Sequence, residues 1–287
     1  MSKPLWPAVS GAMARDYQVE VIANNLANVN TDGFKRDDVS FKEYLSKKEN
    51  MDLAGEEIPR SPIKDKDLYH LDGRDQSFVV VNGTHTKFST GGFKVTDSPL
   101  DFALNGPGFF EISTPAGIRY TRAGSFKISA EGKLVTSQGY PVLAGGDAVV
   151  APEPVKGAPA TPVAPPSPAG REINLSNLEG SLHVNDMGEV YMGDDKIAVM
   201  NVVEFGDLNQ IRKVGSSNFE NKNPVANPPQ VATKTVVKQG VIETSNVNPV
   251  QEISNLIRAN RMFEEDLKAM KTVNEMLQKE VNDIAKF

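Results

Sequence analysis

Near the start of the chain, apolar residues recur at Leu5, Val9, Ala12, Val19, Ile22, Leu26 and Val29, with Met13 beside them. Such spacing lays the side chains along one stripe of an α-helix, predicted here from about Pro7 to about Val29. The cluster Asn28, Asn30, Asp32 and Gly33 ends it, because Asn and above all Gly tolerate the left-handed backbone that stops helices. A second helix is signalled at the other end. Asn248 suits the cap, Pro249 the first helical position, and Gln251 stands where a capping box takes Glu or Gln. Ile253, Leu256, Ile257, Phe263, Leu267, Met270, Leu277, Val281 and Ile284 then keep a heptad-like seam, interrupted by Asn260 and Asn274. Glu264 and Lys268, then Lys271, Glu275, Lys279 and Asp283, alternate in sign at four-residue spacing, as an exposed helical face does. This helix extends over about 37 residues, about 55 Å at the α-helical rise.

Between the helices the pattern changes to β-formers, Gly and turn dipeptides: Asp72-Gly73, Asn82-Gly83, Asn105-Gly106 and Glu131-Gly132. Strands are predicted at Phe78 to Val81, Leu100 to Leu104, Phe109 to Ser113, Ser125 to Ser129, Lys133 to Thr136, Glu189 to Met192 and Ala198 to Phe205. Seven prolines in Ala151 to Gly170 rule out a helix or central strand there and indicate an extended surface loop. Ser40 to Arg74, charged and weakly periodic, and Asn218 to Gln230, rich in Asn and Pro, read as connectors.

The expected fold is mainly β with long α-helical termini: antiparallel β domains inserted between two helices that pair as an antiparallel coiled-coil stalk. Its divisions are 1–35 (assembly helix), 36–98 (connector and β segments), 99–205 (central β domain with the Pro-rich loop 151–170), 206–247 (return segments) and 248–287 (C-terminal helix). Each helix carries one apolar stripe. Burying two stripes against each other does not meet the backbone entropy of ordering about 60 residues, so the termini are expected to order by packing among copies of the chain.

Composition narrows the function. With 31 Lys and Arg against 37 Asp and Glu the net charge is −6, and no basic cluster stands ready for a phosphate backbone, so nucleic acid is not expected as a partner. Cysteine is absent, which removes disulfides, thiolate metal sites and a thiol nucleophile. No long apolar run spans a membrane, and Arg15, Asp16 and Glu20 break any secretory leader, so neither membrane insertion nor a cleaved signal peptide is expected. His70, His85 and His183 are isolated, and no nucleophile-elbow or phosphate-loop motif occurs. No enzyme, cofactor or metal site is expected.

Three blocks carry a resemblance. Ser10-Gly11-Ala12-Met13 with Ala23-Asn24-Asn25-Leu26-Ala27-Asn28-Val29-Asn30-Thr31-Asp32-Gly33-Phe34-Lys35-Arg36 resembles the N-terminal signature of bacterial flagellar rod and hook proteins. Pro99 to Phe110, continued by Tyr120 to Phe126 and Gly139 to Leu143, is similar to the family's central segment, and Gly240 to Val250 to the motif before its last helix. Length and the opening Lys3-Pro4-Leu5-Trp6 most resemble the proximal rod members, with the distal rod and hook members as alternatives. The resemblance implies a subunit of the tubular rod that crosses the periplasm in the basal body and transmits torque to the hook. It further implies partners in copies of itself, other rod proteins and hook–basal-body neighbours, and passage through the flagellar type III export apparatus. From a different class, a secreted adhesin-like binding module also joins a β body to coiled-coil ends.

The residues expected to carry assembly are Val19, Ile22 and Leu26 in the first helix and Ile257, Phe263, Leu267, Met270 and Leu277 in the last. Asn24, Asn25, Asn28 and Asn30 are costly in a monomer core because each amide needs several partners; they either bond neighbouring subunits or end the helix. Phe34 and Phe41 either anchor the connector on the first helix or belong to an ordinary satellite core, and Trp6 is either an inter-subunit anchor or a local packing residue.

Overall fold

The computed structural model describes residues 5–46, 76–145, 170–175, 181–215 and 217–284. Helix α1 runs Leu5–Ala27 and helix α2 Pro249–Ile284, within two residues of the predicted start and end of α1 and at the predicted start of α2. Between them come β1 (Asp37–Ser46), β2 (Gln76–Thr86), β3 (Phe93–Val95), β4 (Phe102–Asn105), β5 (Phe109–Thr114), β6 (Gly117–Thr121), β7 (Phe126–Ile128) and β8 (Leu134–Thr136). They are followed by β9 (Leu182–Val184), β10 (Glu189–Met192), β11 (Asp195–Val199), β12 (Val202–Glu204), β13 (Ile211–Val214), β14 (Asn218–Asn221), β15 (Gln230–Val231), β16 (Val236–Gln239) and β17 (Val241–Glu243). The molecule is mainly β with one helix at each end.

The chain divides into two units: Met1–Asn24, Asp38–His85 and Val250–Phe287 form one, and Asn25–Asp37 with Thr86–Pro249 the other. In the first, β1 and β2 make a two-stranded ribbon, the Val79 N–H donates to Ser10 Oγ of α1 at 3.2 Å, and the Arg15 guanidinium lies 5.7 Å from the centre of the Phe41 ring.

The second unit is built on a six-stranded sheet in the order β13-β14-β6-β5-β12-β15. Alternation along β5 sends Phe110 and Ile112 into one apolar cluster and Phe109 into another, and β12 does the same with Val202 and Val203. Both faces of these strands are therefore covered. The larger cluster also takes Phe102, Leu104, Phe126, Leu134, Val142 and Met200. The smaller gathers Tyr120, Phe205 and Phe219, with the Phe109 and Phe219 rings edge-on at 5.5 Å. A three-stranded sheet β11-β10-β9 and the pairs β16-β4, β17-β3 and β7-β8 complete it.

Several expectations are corrected. Residues 40–46 of the supposed connector belong to β1, because main-chain pairing with β2 fixes a strand whose side-chain pattern is too charged to show one; 47–74 lies outside the described residues. Asn218–Asn221 is β14, bonded between β13 and β6, and Gln230 opens β15. Asn82-Gly83 lies inside β2 and makes no hairpin turn. Asn105-Gly106 does not join a hairpin either, since β4 pairs with β16; a Cβ on Gly106 would stand 2.6 Å from Thr235 Cα, so the glycine serves the close approach of that returning strand. Ala198 to Phe205 is split between β11 and β12. Glu131-Gly132 does turn β7 into β8. Asp72-Gly73 and residues 151–169 of the Pro-rich segment lie outside the described residues.

Candidate assembly surface

On α1, Ala12, Ala14 and Ile22 are buried and Val19 and Leu26 half-buried, whereas Met13 is 69% and Tyr17 37% exposed. The four asparagines separate. Asn25, only 1% exposed, is spent within its own chain: its Nδ2 donates to Asp37 O at 2.8 Å and its Oδ1 accepts from Asp37 N at 3.0 Å. Asn28 accepts from Thr31 Oγ1 at 3.1 Å, while Asn24 and Asn30 face solvent. Trp6 lies in the first turn of α1, and its side chain is outside the described residues.

Helix α2 does not present a single seam. Glu252 and Ala259 are buried, and Leu256, Phe263, Asp266, Met270 and Val273 are half-buried, which makes a strict four-three repeat from 252 to 273. Val250 at 73%, Ile253 at 45%, Ile257 at 49% and Leu267 at 42% exposure lie on a second stripe, about 100° around the helix. The predicted seam thus merges two: Phe263 and Met270 belong to the covered one, Ile257 and Leu267 to the open one, and the side chain of Leu277 is outside the described residues. Polar Glu252 and Asp266 hide the covered repeat from a reading based on apolar positions. Asn260 and Asn274, which looked like interruptions, are exposed. Gly11 of α1 neighbours Asp266 of α2: a Cβ built on it would stand 3.5 Å from Asp266 Oδ2, an ordinary van der Waals contact.

In the second unit, the segments that leave α1 and enter α2 are stitched together. Gly33 adopts φ 65°, and a Cβ on it would stand 2.3 Å from Ala123 N, so only glycine fits there. Its N–H donates to Glu243 O at 2.8 Å. Phe34 is fully buried, with Lys213 Nζ 3.4 Å from its ring centre. Lys35, also fully buried, donates to Glu243 Oε1 at 2.5 Å, and the Arg122 guanidinium reaches Glu243 Oε2 at 3.4 Å and lies 4.9 Å from the centre of the Phe109 ring. Burial pulls the Lys35 and Arg122 pKa values below their ordinary ranges, against the opposing attraction of Glu243. Lys213, lowered by burial against the pull of Asp37, donates to Lys35 O at 2.7 Å and Asp37 Oδ2 at 3.0 Å. Asn246 Oδ1 accepts from Arg36 N at 2.7 Å.

Lys35, Arg122 and Glu243, one from each signature block, therefore meet in space. Spacing along the chain gives no sign of this. Only Glu243 stands out, as the single charged residue of its block; Lys35 shares its block with Asp32 and Arg36, and Arg122 with Asp101.

Beside this knot is a cleft of about 130 Å³ lined by Thr31, Asp32, Thr121, Ala123, Ser125, Thr136, Ser137, Gln138, Ser217 and Asn218. Burial and the nearby Asp101 raise the Asp32 pKa, against Lys94. Among the described residues no three His, Cys, Asp or Glu converge as metal ligands, and no helix is long and apolar enough to cross a membrane.

Comparison with known proteins agrees with the three blocks. Residues 7–35 match the flagella basal body rod protein family, 103–192 the flagellar hook protein FlgE/F/G D1 domain, and 238–284 the flagellar basal body rod FlgEFG protein C-terminal family. The chain is 31% identical over 285 residues to the flagellar basal-body rod protein FlgG of Buchnera aphidicola subsp. Schizaphis graminum, covering 97% of this chain and 98% of that protein. It is 30% identical over 287 residues to FlgF of Caulobacter vibrioides, covering 100% of both chains. FlgG of Bacillus subtilis is 30% identical over 288 residues, with 98% of this chain and 99% of the relative covered.

Proposed function

The chain belongs to the bacterial flagellar basal-body rod protein family and is a structural, non-enzymatic subunit of the rod, and from that premise we propose how it assembles. Copies associate through α1 and α2, which pair antiparallel as a coiled-coil stalk and pack side by side into the wall of a tube. The observation that carries this reading is the open apolar group Val250, Ile253 and Ile257, with Leu267 on the same stripe beyond Asn260 and Glu264, lying beside a seam already covered within one chain. Large side chains left in water on a long helix gain from burial against a neighbour.

The antiparallel pairing is supported by register. Gly11 stands 16 residues before the end of α1 at Ala27, and its neighbour Asp266 stands 17 residues after the start of α2 at Pro249. Nearly equal distances from adjoining roots are what antiparallel helices give.

The subunit occupies the proximal part of the rod, in the periplasm, reaches it through the flagellar type III export apparatus, and passes torque toward the hook through its packed helices. The end-to-end match to a FlgF protein supports the proximal position; the FlgG relatives support a distal one as the second reading. Leu267→Pro tests the assembly role: it removes a helical hydrogen bond at a cost of about 3 kcal/mol or more. The variant is expected to be absent from purified basal bodies while the β strands of the second unit stay folded by circular dichroism. Normal swimming of a strain carrying only this variant refutes the reading, and labelling of basal bodies with an antibody to the chain separates proximal from distal.

A further inference from the structure

We infer that Glu243 is the positioning residue of the assembly helices: its buried carboxylate ties the segment leaving α1 to the segment entering α2, so that one side chain sets both helix roots. This rests on the assembly role of the helices proposed above. A buried Lys–Glu–Arg cluster is a poor source of stability, since well-packed apolar residues of similar volume often do as well or better. Its bonding points to another purpose. Lys35 Nζ also donates to Ser89 O at 2.9 Å, Glu243 Oε1 accepts from Gly91 N at 2.9 Å, and Arg122 donates to Gly106 O at 2.7 Å. Lys35 and Glu243 thus both grip the backbone of residues 89–91, and Arg122 that of Gly106.

Around the carboxylate, residues 33–36 and 243–246 are cross-stitched. Gly33 N donates to Glu243 O at 2.8 Å, Arg36 N to Asn246 Oδ1 at 2.7 Å, and Asn246 N to Phe34 O at 3.4 Å. An apolar cluster tolerates small slips, whereas directional bonds to buried charges are satisfied in one arrangement only. Residues 33–36 thus take part of their fixed place from residues 243–246, which lie more than 200 positions further along the chain.

Hydrogen exchange on the full chain tests this with Glu243→Gln, which keeps shape but removes the charge. Amides of residues 33–36 are expected to exchange at least about tenfold faster while those of β5 and β6 keep their protection. Unchanged exchange at 33–36, or equal loss in β5 and β6, overturns the inference. Should that variant fail to fold, the triple apolar variant Lys35→Met, Arg122→Met, Glu243→Leu decides: a wild-type melting temperature with loss of swimming supports positioning, and normal swimming overturns it. Absence of the wild-type chain from basal bodies would instead sink the rod reading and leave the exchange result standing.

Discussion

Asp32 sits half-buried in its cleft, where burial and Asp101 hold its pKa above the ordinary carboxylate value of 3.8. Between that value and the raised one, the folded chain keeps a proton that the unfolded chain has lost, so stability falls as pH rises through the window and stays lower above it. Asp32→Asn removes the effect. The variant is expected to be more stable at pH 7 by less than about 1 kcal/mol, because the group is largely solvent-screened, and to match the wild type at pH 3; urea titrations at both values check this. Gly33 lies next in the chain and tolerates no replacement. Gly33→Ala combines a left-handed backbone with a Cβ 2.3 Å from Ala123 N and is expected to cost about 2 to 5 kcal/mol, read as a fall in the urea midpoint. Gly33 was legible as a left-handed position because its residue type carries that information. Its neighbour Lys35 was not: its partner is 208 residues away, and a pairing of that kind follows from the folded path, which a single sequence does not display.

Among the elements, α2 was the most legible, since Pro249 and a long periodic run specify start and type locally. Its faces were less so. Periodicity ranks positions by side-chain polarity, whereas the fold covers Glu252 and Asp266 and leaves Ile253 and Ile257 open. Strands with local alternation or a tight turn, such as β7, β8 and β10, were readable. Strands β1 and β14 were not, because their formation is decided by partners distant in the chain. The open stripe yields a clean separation of folding from assembly. Ile253→Gln, Ile257→Gln and Leu267→Gln together keep good helix formers at exposed sites and are expected to change monomer stability by about 0.5 kcal/mol or less per site. Incorporation into basal bodies should be lost. A variant equal to wild type in thermal melting yet missing from basal bodies fits; full incorporation shows that the stripe is not an interface.

At the scale of the whole molecule the two units differ in what holds them. The second has apolar clusters on both faces of a six-stranded sheet. The first has helices with open apolar residues and a two-stranded ribbon, an element that is marginal alone. Free energies of local opening follow such differences, so in a dilute monomer the helices should open well before the sheets. Trypsin distinguishes the two by chemistry already in place: Arg15 lies in α1 and Arg258, Arg261 and Lys271 in α2, while exposed Lys127, Arg212 and Lys238 lie on strands of the second unit. Arg258, Arg261 and Lys271 are exposed as the strand sites are, whereas Arg15 is half-buried, so among the exposed sites the difference in rate reports backbone opening. Cuts in the helices are expected to precede cuts at Lys127, Arg212 and Lys238 in the monomer, and the same helical sites are expected to resist trypsin in purified basal bodies. Resistance of the helical sites in a chain verified as monomeric by sedimentation would mean that both helices are already held without neighbours, and the subunit would then bring a finished stalk to the rod instead of completing it there.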